Sequence, residues 1–191
     1  MSSGYLSGLA VFLIDTAARL YIFALMLRFL LQWQEADFYN PISQFLVKVT
    51  HPPLRHLRRA IPSIGRADTA SLVLMLALQA LDLYLVSALQ QTSVGAAGLL
   101  AASAAELLEL LYYIFFWSIF ISVALSWVVP RGHSPAIALL HGLTEPFLSL
   151  FRRVLPPMGG IDLSPLLALF ALELARRAVL EPLQDFVAKL N

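Results

Sequence analysis

DFYNPISQFLVKVTHPPLRHLRRAIP, residues Asp37–Pro62, is a polar, proline-punctuated stretch set between two long apolar blocks. It occurs twice. Moving the sequence by 94 positions sets Trp33 on Trp127, Pro41 on Pro135, Thr50 on Thr144 and Pro52 on Pro146. The same offset sets the Arg58-Arg59 pair on Arg152-Arg153, Pro62 on Pro156, Gly65 on Gly159 and Asp68 on Asp162. With Leu46, Leu54 and Leu72 also meeting leucines, 12 of 40 ungapped positions are identical. Leucine matches carry little weight in so apolar a chain. Coincident Trp, Pro, Gly, Asp and a double Arg do, and they indicate a tandem duplication, with repeats taken as residues 1–93 and 94–191.

The blocks around this stretch give the fold class. Hydrophobic residues make up 59% of the 191 positions and charged residues 13%, and mean hydropathy is +0.77. Ordinary globular chains are only about 45–50% apolar. The excess is concentrated in blocks long enough for membrane crossing, which takes roughly 20 apolar residues. Four spans are expected, at 9–31, 69–89, 107–129 and 163–180, the last being the weakest because Glu173, Arg176 and Arg177 crowd its end. The small residues of 92–105 read as a short connection or an extension of the third span. The start of the chain lacks a basic n-region and an A-x-A cleavage pattern, so the first block is expected to be a retained span rather than a cleaved signal. The expectation is an all-α polytopic membrane protein. With two crossings per repeat, both connections emerge on one side, and the halves are parallel repeats rather than inverted ones.

Within each connection the residue pattern predicts short amphipathic interfacial helices. Asn40-Pro41 and Ser134-Pro135 are helix starts, an N-cap followed by proline at the first helical position. Ile42, Phe45, Leu46 and Val49 then recur at helical spacing. A break is expected at His51-Pro52-Pro53 and at Glu145-Pro146, since a residue before proline is pushed out of the α region. The second short helix of each connection carries Arg55, Arg58 and Arg59, or Arg152 and Arg153. Guanidinium groups match phosphate oxygens, so these five arginines are the candidate lipid- or partner-contacting residues, although they would serve topology equally well. Gly65 and Gly159 read as turns. Asp68 and Asp162 each precede an apolar span, where a carboxylate accepts free N–H groups and meets the positive end of the helix dipole.

The basic residues of the connections (Lys48, Arg55, Arg58, Arg59, Arg66, Arg131, Arg152 and Arg153) place that side in the cytoplasm by the positive-inside rule, with both termini outside. Inside the spans, Asp15 and Arg19, and likewise Glu173 and Arg177, have the spacing of an intrahelical pair. Arg28, Glu106 and Arg176 lie near span ends and are expected to snorkel. Asp82 and Glu109 have no partner in sequence; with Asp15 and Arg19 they are the candidate intramembrane ionisable site. Trp33, Tyr39, Tyr112, Tyr113, Trp117 and Trp127 fit aromatic belts.

Several function classes have no support. Net charge is +1 and there are no cysteines, so neither a basic nucleic-acid surface nor thiolate chemistry is indicated. The four histidines, His51, His56, His133 and His141, show no metal-ligand spacing, and neither a catalytic set nor a cofactor motif appears.

At Asp37–Pro62, and again at TEPFLSLFRRVLPPMGGIDLSP (Thr144–Pro165), the sequence resembles the YggT family of bacterial inner-membrane proteins in its two-repeat form. The first copy departs from the M-G-G-x-D ending, reading Ile64-Gly65-Arg66-Ala67-Asp68. The resemblance implies a multi-span inner-membrane protein with relatives in cyanobacteria and plastids. It also implies association with osmotic tolerance, cell division and membrane-protein or cofactor assembly. The functional expectation is a non-enzymatic membrane scaffold or assembly factor. Its basic interfacial helices would contact anionic lipid headgroups, a membrane-protein partner or a second copy of the chain. The competing expectation is ion or solute transport through a channel-like path.

Overall fold

The computed structural model describes residues 2–35, 37, 39–92, 94–128, 134–155 and 162–190, the side chains of 2–4, 127 and 128 excepted. The expectations for Gly159, Arg131, His133 and the Trp127 side chain lie outside the described residues. Among the described residues the regular elements are all helices, apart from one isolated bridge between Ile64 and Ala67, and short turns join them. Its helices are α1 (Ser2–Trp33), α2 (Pro41–Ala60), α3 (Thr69–Leu89), α4 (Ala96–Val128), α5 (Pro135–Val154), α6 (Ser164–Ala175) and α7 (Glu181–Leu190), with a π-helical turn (Arg176–Leu180) between the last two.

Three of them are long and apolar enough to cross a membrane, over Tyr5–Trp33, Thr69–Leu89 and Ala96–Ser126. At 1.5 Å per residue, Thr69–Leu89 covers about 32 Å and matches a hydrocarbon core of about 30 Å. The other two exceed that thickness by roughly 15 Å, so in a bilayer they would tilt or project. Their outer faces are bare: Phe12, Leu13 and Leu20 are each more than half exposed. In lipid that exposure is solvation rather than a liability.

Three expectations change. The third span starts at Ala96, because 96–105 is helical; alanine is the best helix former, and six of those ten residues are alanine. The fourth span is not one long α-helix, since α6 has 12 residues and passes into the π-helical turn where Glu173, Arg176 and Arg177 crowd together. The expected breaks in the connections also do not occur. α2 runs through Pro52 and Pro53, and α5 through Pro146, each as one 20-residue helix.

A helix-interior proline costs about 3 kcal/mol or more, because it frees the carbonyl four residues back and crowds it. Tertiary contacts offset part of this in α2. Pro53 has no N–H for Val49, and the Tyr21 hydroxyl donates to that carbonyl at 3.4 Å. Thr50 donates to Leu46 O at 2.6 Å, and its counterpart Thr144 donates to Leu140 O at 2.9 Å. Threonine back-bonding of this kind bends a helix, and it sits two residues before the proline in both repeats.

The duplication is visible in the packing. α1 lies on α2 and α3, while α4 lies on α5, α6 and α7, and α3 meets α4 between the halves. The larger core joins Ile22, Leu25 and Leu30 of α1 to Leu54, Ala70 and Met75, and reaches Ile114 and Leu143 of the second half. The smaller core joins Ile119, Leu148 and Ala168. Fully buried Ala70, Ser71, Ser164 and Ala168 let helices approach closely, which is what drives association where lipid is as apolar as leucine.

Candidate functional site

Each connection leads into the helix that follows it, α3 or α6, past an arginine–aspartate pair that the repeat places twice. In the first repeat Arg58 donates to both Asp68 oxygens, with Nε at 3.4 Å from Oδ1, and to Gln32 Oε1 at 3.2 Å. The Ser71 hydroxyl also donates to Asp68, whose side chain is 1% exposed. In the second repeat Arg152 Nε donates to Asp162 at 2.8 Å, and Asp162 accepts the Ser164 N–H at 2.9 Å.

This corrects one cap. Asp68 occupies the N-cap position of α3, yet its carboxylate caps no backbone N–H; a guanidinium and a hydroxyl take its oxygens instead, as the stronger, charge-assisted partners. Asp162 does both. Burial acts to raise the Asp68 carboxyl, but the bonds from Arg58 and Ser71 outweigh it and hold it below its ordinary value. Asp162 is lowered against burial in the same way, by Ser164 and Arg152. Arg152 is raised, first by its bond to Asp162.

The five candidate arginines therefore divide. Arg58 and Arg152 are occupied by carboxylates. Arg55, Arg59 and Arg153 are exposed, with no ion pair among the described residues. Arg28, expected to snorkel, is instead 6% exposed and donates to Thr50 Oγ1 at 2.7 Å. Its burial depends on α2 folding back over α1, which spacing along α1 does not show. Sequence reasoning assigns no role here to Gln32 or Ser71, and marks Thr50 only as a repeated identity and Glu145 only as the residue before a proline. The Thr50–Thr144 identity was the one usable signal.

The two helix starts lie side by side. Asn40 accepts the Ile42 N–H at 2.9 Å and Ser134 accepts the Ile137 N–H at 3.2 Å, so both caps form as read. The Asn40 amide then donates to Pro135 O at 2.8 Å, across the seam between repeats. Pro41, Pro135 and His141 line a cavity of about 480 Å³ there. Gly65 turns the first connection with φ +59°, which only glycine adopts freely.

At the other end of the spans, Arg19 donates to Asp15 at 2.6 Å and lies 3.9 Å from Glu106 of α4. Gln184 donates to Glu109 at 3.1 Å. Asp82 is 2% exposed, and neither of its oxygens has a hydrogen-bond partner among the described residues. Glu173 binds Arg176 and Arg177 at 2.9 Å and accepts from Tyr112 at 3.0 Å. No group of three or more metal-ligating side chains occurs among the described residues.

The family model for CCB3/YggT matches residues 7–89 and again 101–183, two segments offset by the same 94 residues as the identities above. The chain belongs to the CCB3/YggT family. Similar proteins include YggT of Escherichia coli K12, 40% identical over 91% of this chain and 90% of its own. An uncharacterized protein of Pseudomonas aeruginosa is 42% identical over 91% and 89%. The chloroplastic YlmG homolog protein 2 of Arabidopsis thaliana is 38% identical over 27% of this chain and 20% of its own. No solved structure matches. Both CCB3/YggT segments contain the Arg–Asp pair, so the pair belongs to what the family repeat spans.

Proposed function

We propose that this CCB3/YggT protein is a non-enzymatic membrane scaffold that organises anionic lipid or a partner protein on the face bearing its two connections. The observation that carries the reading is the three-sided surface of α2. At 3.6 residues per turn, Ser43, Leu46, Thr50 and Leu54 form the side buried against the bundle. Ile42, Phe45 and Val49 form a second side, left exposed. Lys48, Arg55 and Arg59 form a third, also exposed. A helix with an apolar side and a basic side both free of protein suits a headgroup boundary, apolar side down and cations at phosphate level. Each such cation near an anionic leaflet contributes about 1 kcal/mol. Arg153 of α5 adds to the same face.

In this reading α6 and the π-helical turn make the fourth crossing, and the two halves are parallel about an axis along the membrane normal. The Asn40–Pro135 bond supports it, because equivalent ends of the two connections meet. The basic connections then face the cytoplasm of a bacterial inner membrane. In the cysteine-free chain, Ser63→Cys and Ala136→Cys should be protected together from an impermeant maleimide in spheroplasts, while Gln90→Cys is labelled. Protection of only one of the first pair would end the parallel arrangement. For the lipid role, nanodiscs of mixed charge should show anionic lipid enriched around the protein. The combined Arg55→Gln, Arg59→Gln and Arg153→Gln variant should lose that enrichment; if it keeps it, the lipid role fails.

A second reading, ion or solute passage, has one observation in its favour. The buried Asp82, whose oxygens have no hydrogen-bond partner among the described residues, stands three residues on from Gln79, which lines a cavity of about 240 Å³ together with Arg19, Glu106 and Glu109. It requires ion flux in proteoliposomes that Asp82→Asn changes, and absence of flux removes it.

A further inference from the structure

Between α1 and α2 lies a cavity of about 540 Å³ that joins charged and apolar walls. Arg28, Arg58 and His51 line it together with Leu31, Leu46 and Val47. Its charges do not balance. Arg58 is matched by Asp68, and Glu35, which also lines the cavity, pairs with Arg66 at 3.1 Å. Arg28 has no carboxylate within ion-pair distance among the described residues; it donates instead to the neutral Thr50 hydroxyl. A buried guanidinium left without a counter-charge is strongly unfavourable. A second group points to the same missing partner. Ser43, 7% exposed, lines the cavity with a hydroxyl that makes no hydrogen bond among the described residues.

The second repeat shows what a satisfied version looks like. Counterparts of Arg28, Ser43 and His51 are Ser122, Ile137 and Glu145. The cation and the orphan hydroxyl are gone, and a carboxylate of the protein's own, Glu145, reaches Arg152. Where the second repeat supplies its anion from within, the first leaves room for one from outside.

We propose that the first-repeat cavity binds a phosphate-type oxyanion, held by Arg28 and Ser43 with His51 at its edge. Guanidinium is the side chain best matched to that geometry. Leu31, Leu46 and Val47 provide an apolar wall for the glycerol and first methylenes if the phosphate belongs to a lipid. The site deepens the lipid reading above, and it rests on that reading for the lipid source. Its test turns on other residues, so the two fail separately.

The full chain, stripped in neutral detergent, is titrated with phosphatidylglycerol in native mass spectrometry and with inorganic phosphate in thermal melting. One lipid adduct that survives activation, weakened at least about tenfold by Arg28→Gln and lost in Val47→Trp, assigns the site to lipid. That adduct should be unchanged in the Arg55, Arg59 and Arg153 variant. No adduct, but phosphate stabilisation that those two variants abolish, assigns it to free phosphate. If Arg28→Gln does not fold, Val47→Trp and Ser43→Val decide. Equal adducts and equal phosphate response in wild type and variants overturn the proposal, as does the absence of both.

Discussion

The two connections share a backbone plan and differ in charge. Each is a 20-residue helix that starts at an Asx or Ser cap, passes through proline with a back-bonded threonine, and ends with an arginine reaching an aspartate ten residues on. In the first, Arg58 faces Asp68 while Arg28 has no carboxylate within ion-pair distance among the described residues; in the second, Arg152 faces both Asp162 and Glu145. What the halves share is therefore architectural, and what they do not share is the chemistry of the cavity behind α2. Burial differs as well: the Asp68 side chain is 1% exposed, against 32% for Asp162.

That difference makes the strongest prediction. Arg58→Ala strands a buried carboxylate and should destabilise by about 3–5 kcal/mol. Arg152→Ala, at a pair open to solvent, should cost no more than about 1 kcal/mol. SDS-induced unfolding followed by circular dichroism measures both, and equal losses would break the comparison. The threonines come next. Thr50→Val removes the acceptor of Arg28 and should cost about 1–3 kcal/mol, whereas Thr144→Val loses one neutral bond and about 1 kcal/mol. At the turn, a Cβ on Gly65 would meet nothing within 4 Å, so Gly65→Ala tests backbone strain alone, at about 1 kcal/mol.

The smallest effect is a slope. Both aspartates are lowered in the folded state, so their contribution is full above the unfolded carboxylate value of about 3.9 and is lost as the pH falls below it, through the folded values. Asp68→Asn and Asp162→Asn should each flatten the acid limb of a melting-temperature profile. A limb unchanged in both would mean that neither pair is linked to folding.

Much of this architecture could be read from residue order. The 69–89 span has the predicted bounds, and both caps form where Asn40-Pro41 and Ser134-Pro135 stand. Those are local signals, set by hydropathy and by the first turn's free N–H groups. Proline misled for the opposite reason. Its penalty is local, but the Tyr21 hydroxyl and the Leu54 contacts that offset it come from packing. The Arg–Asp pairing was legible only in part. Both residues were among the repeated identities, but the turn that brings position 58 to position 68 is a tertiary fact. Arg28 was least legible, since its setting is made by α2.

The bond from Asn40 to Pro135 has one more consequence. It joins equivalent ends of two like units, as an isologous contact does in a twofold homodimer. Two separate copies of one repeat would carry every residue twice, and a cavity built around an unbalanced arginine would appear on both sides or on neither. Covalent fusion lifts that restriction. The contact joins equivalent ends of the repeats, while a single chain is free to carry a charged pocket in one half without repeating it in the other.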